Sequence, residues 1–419
     1  MKLLIKGGRL VDPVGGIGGV MDLLIQNGKI VGLGSDLGDE ADQIIDAAGL
    51  VVCAGLVDMH VHLRDPGFEY KEDIFTGTMA AARGGVTAVA CMPNTKPVTD
   101  SPEQIQYVIQ KAAQACGVRV WPIGAVSVGQ QGQQLTDAEQ LKKAGAVALS
   151  DDGVPVDSAN VMRDALIRAK RYDMTVLSHC EYGDMVKNYA VNEGRVSRQL
   201  WLEGRPAIAE ELMVMRDAML AEETGAHVHI QHVSTGKSVD IIRKMKMKGV
   251  PITCETCPQY FTLTEDEVLT QGTMARINPP LRTRHDVEEI IRGLQDGTID
   301  VIATDHAPHS KEEKAPSGMV GLETSLAVTL TSLYHTGKMD LSAILRCMTC
   351  NPAAILRVPG GRLAIGAEGD VTIFDPNEAW VVDSDKFASK GRNTPFAGHE
   401  VKGRVKYTIV GGEIIYQEQ

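Results

Sequence analysis

The middle of the chain alternates short apolar runs with amphipathic stretches, which is the pattern of parallel strands joined by helices. Stretches with helical spacing, such as SPEQIQYVIQKAAQAC, lie between eight strand-like runs. The predicted strands are Gly55–His62, Gly85–Met92, Arg119–Val126, Ala146–Asp151, Met174–His179, His227–His232, Pro251–Cys257 and Asp300–Asp305. Eight strand–helix units over roughly 300 residues favour a closed (β/α)8 barrel. A doubly wound open sheet is the alternative, but the chain has no GxGxxG turn to support one.

The two ends of the chain share a different pattern, in which short apolar runs alternate with glycine turns. It occurs in LLIKGGRLVD and DLLIQNGKIVGLG near the N-terminus, and in RLAIGAEGDVTIFD and YTIVGGEIIYQ near the C-terminus. We therefore predict an α/β protein with two domains. Residues 1–52 with 360–419 form a small β-sandwich from both termini, and residues 53–359 form the barrel.

Five of the eight predicted strands end in histidine or aspartate. Active sites of barrels form at the C-terminal ends of the strands, so we expect these side chains to meet at one face. Imidazole and carboxylate together suit zinc or a similar divalent ion. The residues concerned are His60, His62, Asp151, Asp152, His179, His232 and Asp305.

This set is larger than one tetrahedral ion with an open position requires. Two ions about 3.5–4 Å apart that share a bridging carboxylate would use all of it. Asp152 is the expected bridge, and the adjacent Asp151 is the alternative, because strand parity does not decide between them. A second HxH pair, His227 and His229, differs in parity from His232. We expect that pair to point outwards to the helix layer and to be structural.

Composition and charge restrict the partners. The 419 residues are 43% hydrophobic and 23% charged, and the net charge of −12 argues against nucleic acid or an anionic membrane surface as a partner. The sequence shows neither a signal peptide nor a long apolar span, so a cytoplasmic location is expected. Eight cysteines spread over the chain do not suggest a disulfide framework. We interpret the CxxC spacings at 254–257 and 347–350 as reduced thiols, with a structural zinc site as the alternative.

Six motifs at successive strand ends carry a resemblance to a known family. They are DMHVHLRDPG at 58–67, MPNTKP at 92–97, SDDG at 150–153, HVST at 232–235, INPPLR at 277–282 and ATDHAPH at 303–309. In this order they resemble the amidohydrolase superfamily and, within it, the long-chain (type I) dihydroorotases, over essentially the whole chain. The resemblance implies zinc-dependent, reversible cyclisation of N-carbamoyl-L-aspartate to L-dihydroorotate in de novo pyrimidine (UMP) biosynthesis.

The resemblance also implies how the metal ions are held. His60, His62 and Asp305 would hold the first ion, and His179 and His232 the second, with Asp152 as the bridge. Most relatives have a carboxylated lysine at the bridge, whereas residues 148–152 of this chain contain no lysine. An aspartate has a shorter reach, so one or two zinc ions per subunit remain open. Asp305 would also be catalytic, taking a proton from the attacking water and passing it to the ring nitrogen.

Substrate contacts follow from the same resemblance. The guanidinium of Arg64 would hold the free carboxylate of the substrate with two parallel hydrogen bonds, and a surface salt bridge with Asp65 or Glu69 is the alternative. Residues 310–319, rich in Lys, Glu, Pro and Gly, are expected to form a lid, with an ordinary solvated loop as the alternative. The expected substrate-binding residues are His62, Arg64, Asn94, Asn278, His309, Ser317 and Gly318.

Two other functions stay open at this point. A hydantoinase, dihydropyrimidinase or allantoinase shares the barrel and the metals, but its substrates lack the ring carboxylate that Arg64 would bind. A non-catalytic dihydroorotase-like subunit that scaffolds aspartate transcarbamoylase would be expected to have lost metal ligands, and none is missing here. The expected partners are a small-molecule substrate and a second copy of the chain in a homodimer. An association with aspartate transcarbamoylase stays open.

Overall fold

The secondary structure follows the predicted alternation of strands and helices. The structure, a computed structural model, describes residues 1–38, 40–186, 190–310, 313 and 317–418. The strands are β1 (Lys2–Asp12), β2 (Ile17–Gln26), β3 (Lys29–Gly34), β4 (Gln43–Asp46), β5 (Val51–Ala54), β6 (Leu56–Val61), β7 (Val86–Cys91), β8 (Arg119–Pro122), β9 (Ala148–Ser150), β10 (Thr175–Ser178), β11 (Val228–Ile230), β12 (Ile252–Thr256), β13 (Val301–Ile302), β14 (Val371–Val381), β15 (Glu400–Val410) and β16 (Glu413–Gln417). The helices are α1 (Ile74–Arg83), α2 (Pro102–Ala112), α3 (Ala138–Ala144), α4 (Ala159–Arg171), α5 (Arg195–Gln199), α6 (Ile208–Thr224), α7 (Gly236–Met247), α8 (Pro258–Thr262), α9 (Glu267–Gln271), α10 (Arg284–Gln295), α11 (Ser325–Thr329), α12 (Leu341–Met348) and α13 (Cys350–Leu356).

Strands β6 to β13 form a closed parallel barrel. They pair in two runs, β6-β7-β8 and β9 to β13. Two parallel bridges join the runs: Gly124 beyond β8 pairs with Leu149, and His306 beyond β13 pairs with Val61. Each barrel strand lies within one of the eight predicted strands. The predicted (β/α)8 barrel is therefore confirmed.

Strands from both termini form the second sheet, in the order β16-β15-β14-β5-β1-β2-β3, with β4 also paired to β1. The first half of β1 pairs with β4 and its second half with β5. A bulge between Ile5 and Gly8 separates the halves, and a Cβ at Gly8 would lie 2.4 Å from Cγ2 of Val52. The predicted β-domain from both termini is confirmed. The domain limits at 52/53 and 359/360 stay predictions, and β5 continues to Ala54.

The helices cover the barrel with one apolar face each. In α10 the N-cap Thr283 and Asp286 form a capping box, and buried side chains such as Ile290 and Leu294 face the core. Helix α13 closes the N-terminal end of the barrel, where Ile355 and Leu356 pack in one cluster with Met59 and Val301. The opposite, C-terminal end of the barrel is therefore the open one.

Two further expectations concern cysteines and membranes. All eight cysteines are free thiols, as interpreted from their spacing, and six of them are buried. Within the described ranges, no helix has the length and apolar character needed to cross a bilayer.

Candidate active site

The predicted ligand residues all lie at the open end of the barrel. His60 and His62 stand at the end of β6, and the others follow β9, β10, β11 and β13 within three residues. His232 (φ 34°) and Asp305 (φ 48°) adopt the left-handed backbone conformation, which is uncommon outside glycine. Such conformations persist where surrounding structure imposes them, often at functional sites. Here they turn both side chains towards the barrel axis.

His60, His62 and Asp305 form a first compact group. Oδ1 of Asp305 lies 3.1 Å from Nε2 of His62 and 3.4 Å from Nε2 of His60. All three side chains are buried, and one potential ligand atom from each lies within 4.8 Å of the others. One divalent ion can be held by three atoms at this spacing.

Asp152 lies between this group and a second pair of histidines. Its Oδ1 is 3.3 Å from Nε2 of His60, 3.5 Å from Nδ1 of His179 and 3.7 Å from Nε2 of His232. Its Oδ2 is 3.4 Å from Nε2 of His62. One carboxylate therefore faces all four histidines, which is the geometry of a bridging ligand between two ions.

The neighbouring aspartate, Asp151, points away from the histidines. Its Oδ1 accepts the backbone N–H of Val126 at 2.8 Å and that of Ser127 at 3.1 Å, and its Oδ2 accepts the Ser127 hydroxyl. Burial raises the pKa of Asp151 to about 6, against the opposing effect of these hydrogen bonds. Of the two adjacent aspartates, Asp152 alone reaches the histidines.

Two buried atoms at the centre of this cluster fit a cation. Nε2 of His60 and Oδ1 of Asp152 are both buried and have no hydrogen-bond partner among the described residues. Buried polar atoms are rarely left unpaired, and a divalent cation is a partner that both can share. Burial alone would lower the pKa of His179, but the carboxylates of Asp152 and Glu181 outweigh it and raise the pKa to about 10. The same negative field attracts metal cations, which compete with protons for these nitrogens.

Glu255, which the sequence analysis did not single out, lies directly beneath this cluster. It is fully buried on β12, with Oε1 2.5 Å from Nδ1 of His60 and Oε2 3.2 Å from Nε2 of His229. Strand β13 lies between β12 and β6, so the contact between Glu255 and His60 crosses the barrel interior. A charged residue inside the apolar strand run PITCETC is the signal that could have revealed it.

The expected outward direction of His227 and His229 is wrong. His229 reaches Glu255, and the ring of His227 contacts the hydroxyls of Thr175 and Thr253 on the two neighbouring strands. The left-handed conformation of His232 breaks the strand alternation after β11, so parity counted back from His232 is not valid. Both histidines belong to the barrel interior, without being among the ligand residues at its mouth.

A cavity of about 230 Å³ opens above the cluster and contains most of the predicted substrate-binding side chains. Arg64 is half-buried in its wall, and its Nε donates to the Pro308 carbonyl at 3.3 Å. His309 lies beside it, and Nε2 of His309 is buried without a hydrogen-bond partner in the described part of the chain. Burial and the neighbouring Arg64 lower the pKa of His309. The guanidinium of Arg64 at this wall is thus available to an anionic ligand.

Asn94 and Asn278 line the same cavity and are held by other site residues. Oδ1 of Asn94 accepts from Nδ1 of His62 at 2.9 Å, which leaves Nε2 of His62 facing Asp305. Asn94 therefore orients a histidine of the cluster in addition to facing the cavity. Oδ1 of Asn278 accepts from Arg205, and Nδ2 of Asn278 donates to Glu181 at 3.4 Å.

Glu181 and Arg205 are further site residues that the sequence analysis missed. They form an ion pair of 2.9 Å in which Arg205 lines the cavity, and Glu181 also lies 3.4 Å from Nε2 of His179. Burial would raise the pKa of Glu181, but His179, Arg205 and Asn278 around it lower the pKa to about 2. This pair connects the histidine cluster with Asn278. Glu181 stands three residues after β10, the offset that Asp305 has after β13, and a carboxylate at this strand end is the signal that could have found it. Arg205 follows no barrel strand, so no sequence signal marked it.

The predicted lid, residues 310–319, is described only in part. Ser317 lines the cavity, whereas Gly318 does not. Gly318 has φ 152°, and a Cβ there would lie 2.9 Å from that of Ala307, so the position requires glycine. Glu313 contacts His309 at 2.6 Å and Lys71 at 2.7 Å. Residues 311, 312 and 314–316 lie outside the described residues.

Comparison of the sequence with known proteins identifies the family of this chain. Residues 49–238 match the family described as Dihydro-orotase-like. The chain is 50% identical over 423 residues to a protein of Acetivibrio thermocellus named dihydroorotase, covering 100% of this chain and 99% of that protein. A dihydroorotase of Citrifermentans bemidjiense is 51% identical over 424 residues, covering 100% of both chains. The chain belongs to the dihydroorotase family. The resemblance stated from the six motifs is thus confirmed.

A solved structure supports the fold of this dihydroorotase-family chain. The L-hydantoinase (dihydropyrimidinase) from Arthrobacter aurescens superposes with a TM-score of 0.90 at 26% identity, covering 99% of this chain and 96% of that one. The likeness extends over both the barrel and the terminal β-domain. It agrees with the predicted fold class.

Proposed function

We propose that this chain is a dihydroorotase, a cyclic amide hydrolase that interconverts N-carbamoyl-L-aspartate and L-dihydroorotate in de novo pyrimidine biosynthesis. The observation that carries the proposal is the position of Arg64. Its guanidinium shares one cavity with the histidine–aspartate cluster, beside an unpaired Nε2 of His309. A substrate with one reacting amide and one free carboxylate matches both parts of this cavity.

We further propose that the cluster holds one or two zinc ions. His60, His62 and Asp305 would bind the first, His179 and His232 the second, and Asp152 would bridge them. The two buried, unpaired atoms at the centre of the cluster support this assignment. When bound, such ions supply Lewis-acid chemistry, which lowers the pKa of water and polarises an amide carbonyl.

Asp305 is the proposed general acid and base. In ring opening, its carboxylate accepts a proton from the attacking water and then donates it to the departing ring nitrogen, so no net proton is stored on the protein. The Nε2 atoms of His62 and His60 lie close to Oδ1 of Asp305, so that oxygen faces the cluster and would be held there by a bound ion. Its second oxygen, Oδ2, is the one that we assign to proton transfer.

The remaining groups would hold the substrate in position. Arg64, Asn94 and His309 would bind the free carboxylate, and Asn278 the ring amide. Glu181 and Arg205 fix the Asn278 side chain before a substrate arrives, because they contact opposite ends of its amide group. His62, Ser317 and Gly318 complete the proposed set, with the Ser317 side chain in the cavity wall.

A direct assay tests the proposal against its rivals. Purified protein is assayed with L-dihydroorotate, and with hydantoin, dihydrouracil and allantoin as carboxylate-free cyclic amides, while bound metal is measured by elemental analysis. We expect kcat/KM to be highest for dihydroorotate. Comparable values for the carboxylate-free amides would favour a hydantoinase-type enzyme, and metal-loaded protein without activity on any of them would favour a non-catalytic subunit.

We also propose that the chain forms a homodimer in the cytoplasm, and that it can associate with aspartate transcarbamoylase. Helix α6 supports the dimer: opposite its core face it exposes an apolar row, Ile208, Leu212, Met215 and Met219, that a second copy would cover. Light scattering of the protein alone should give twice the chain mass. Leu212→Asp should then give the monomer mass, and addition of aspartate transcarbamoylase to the native protein should give a larger species.

A further inference from the structure

Glu255 makes contacts that none of the proposed catalytic steps uses. Its Oε1 lies 2.5 Å from Nδ1 of His60 and also accepts the backbone N–H of His232 at 3.3 Å. Its Oε2 lies 3.2 Å from Nε2 of His229. Glu255, His60 and His229 each have 0% exposed surface, so no bulk water competes for these contacts. The carboxylate does not line the cavity and cannot touch a substrate there.

We propose that Glu255 is a positioning residue that fixes the tautomer and orientation of His60 for metal binding, and that it serves both metal positions. The inference rests on the proposed metal-dependent function. It concerns a residue beneath the cluster rather than a ligand.

The two neighbours of Nδ1 in His60 decide which tautomer is present. A carboxylate at 2.5 Å requires a proton between the two atoms, so Nδ1 carries the hydrogen and donates it to Glu255. Gln231 offers the opposite arrangement, in which its Nε2–H would donate to Nδ1, but that distance is 3.3 Å. The shorter, charge-assisted contact prevails. Nε2 of His60 then has a free lone pair towards Asp152 and Asp305.

His60 is the member that the two candidate metal groups have in common. It occurs with Asp152 and His232 in one group and with His62 and Asp305 in the other. Glu255 also holds the backbone of His232, so a single carboxylate restrains parts of both groups. Loss of Glu255 should therefore weaken the binding of both ions, not of one alone.

The second oxygen of Glu255 is held in turn from below. Nε2 of His229 contacts it, and Nδ1 of His229 lies 2.8 Å from Oγ1 of Thr253. This chain of polar contacts runs from the cluster into the barrel interior. It limits the freedom of the Glu255 carboxylate, which is what a positioning residue requires.

The experiment compares metal affinity in Glu255→Gln and in a matched control. Glu72→Gln is the control, because Glu72 has 0% exposed surface and lies 3.3 Å from Nε2 of His306, a histidine outside both metal groups. Each purified variant is stripped of metal and titrated with Zn²⁺ against a chromogenic chelator. We expect Glu255→Gln to weaken zinc binding by about 10–100-fold, the usual effect of losing such a partner, and Glu72→Gln to bind as the wild type does.

Further measurements separate positioning from a general structural role. At saturating zinc, KM for dihydroorotate should be unchanged in Glu255→Gln, because the residue does not contact the cavity. If Glu255→Gln does not fold, Glu255→Asp keeps the charge but withdraws it from His60, and it should also weaken zinc binding.

Wild-type zinc affinity in a folded Glu255 variant, or equal weakening in Glu72→Gln, would overturn the inference. Failure of the wild-type protein itself to bind zinc would instead refute the proposed function, so the two failures are distinguishable.

Discussion

Replacing Arg64 by methionine tests the substrate assignment most directly. Arg64 follows β6 in the left-handed conformation (φ 60°), and the Nε contact to the Pro308 carbonyl holds the base of its guanidinium. Methionine keeps an unbranched apolar stem of similar length and removes the charged group. The two terminal nitrogens are the atoms that we assign to the substrate carboxylate, so the substitution removes two charge-assisted hydrogen bonds.

The size of the expected loss in kcat/KM follows from the partial burial of the cavity wall that contains Arg64. Removing one partner leaves the substrate carboxylate desolvated without its cation, and losses of this kind amount to roughly 2–5 kcal/mol. That range corresponds to about a 30- to several-thousand-fold fall in kcat/KM for dihydroorotate. Arg64→Lys should recover only part of the activity, since an ammonium group cannot form the planar pair of hydrogen bonds.

The assay measures kcat/KM for dihydroorotate and for a carboxylate-free cyclic amide in wild type, Arg64→Met and Arg64→Lys. Metal content is determined on the same samples and should not change, because Arg64 is outside both metal groups. Any activity on the carboxylate-free amide should survive in Arg64→Met. Equal losses on both substrates would show that Arg64 supports the structure of the site, and the specificity argument would then be wrong.

Three further outcomes are expected. Asp305→Asn should lower kcat by a factor on the order of 10²–10⁴ while the protein stays folded, and turnover above about a tenth of wild type would mean that another group moves the proton. Elemental analysis should find less bound metal in Asp152→Asn than in wild type and an unchanged content in Asp151→Asn, because only Asp152 faces the histidines. Equal losses in the two variants would contradict the assigned bridge. Burial lowers the pKa of His227 from its ordinary 6.5 to about 4. The folded protein therefore loses stability as the pH falls below the pKa that this histidine has in the unfolded chain. From pH 7 to pH 5 this loss is about 2 kcal/mol. The free energy of unfolding, measured with urea, should include this loss in the control His285→Gln, whose histidine is exposed, and should lack it in His227→Gln. Identical pH profiles for the two variants would refute the argument.

The barrel could be predicted from the sequence because its strands are short, buried runs with regular spacing. Every barrel strand lies inside its predicted limits, and the ligand residues follow from their places at the strand ends. The closing contacts could not be predicted, because they are single bridges outside the regular strands, at Gly124 and His306. They depend on the curvature of the whole barrel.

The alternation of side chains along each strand predicted poorly which residues near the strand ends point into the barrel. It left Asp151 and Asp152 undecided, since adjacent residues at a strand end can each turn towards the axis once regular pairing stops. It also gave the wrong direction for His227 and His229, because His232 leaves the extended conformation. Glu181 and Arg205 were missed for another reason: their contacts to Asn278 join segments that are 73 or more residues apart in the chain.

The placement of Glu255 suggests how the barrel combines stability with a charged site. Beneath the metal-ligand residues lies a polar layer of Glu255, His229 and Gln231, in a position that apolar side chains commonly fill in such barrels. Burying it is tolerable because its groups pair with one another and with the ligands above, as unpaired polar groups in this layer would each cost several kcal/mol. Below it lie apolar side chains such as Met59 and Val301, together with His227 and its contacts to two threonine hydroxyls. The ligand residues can therefore be held from beneath by the strands of the barrel.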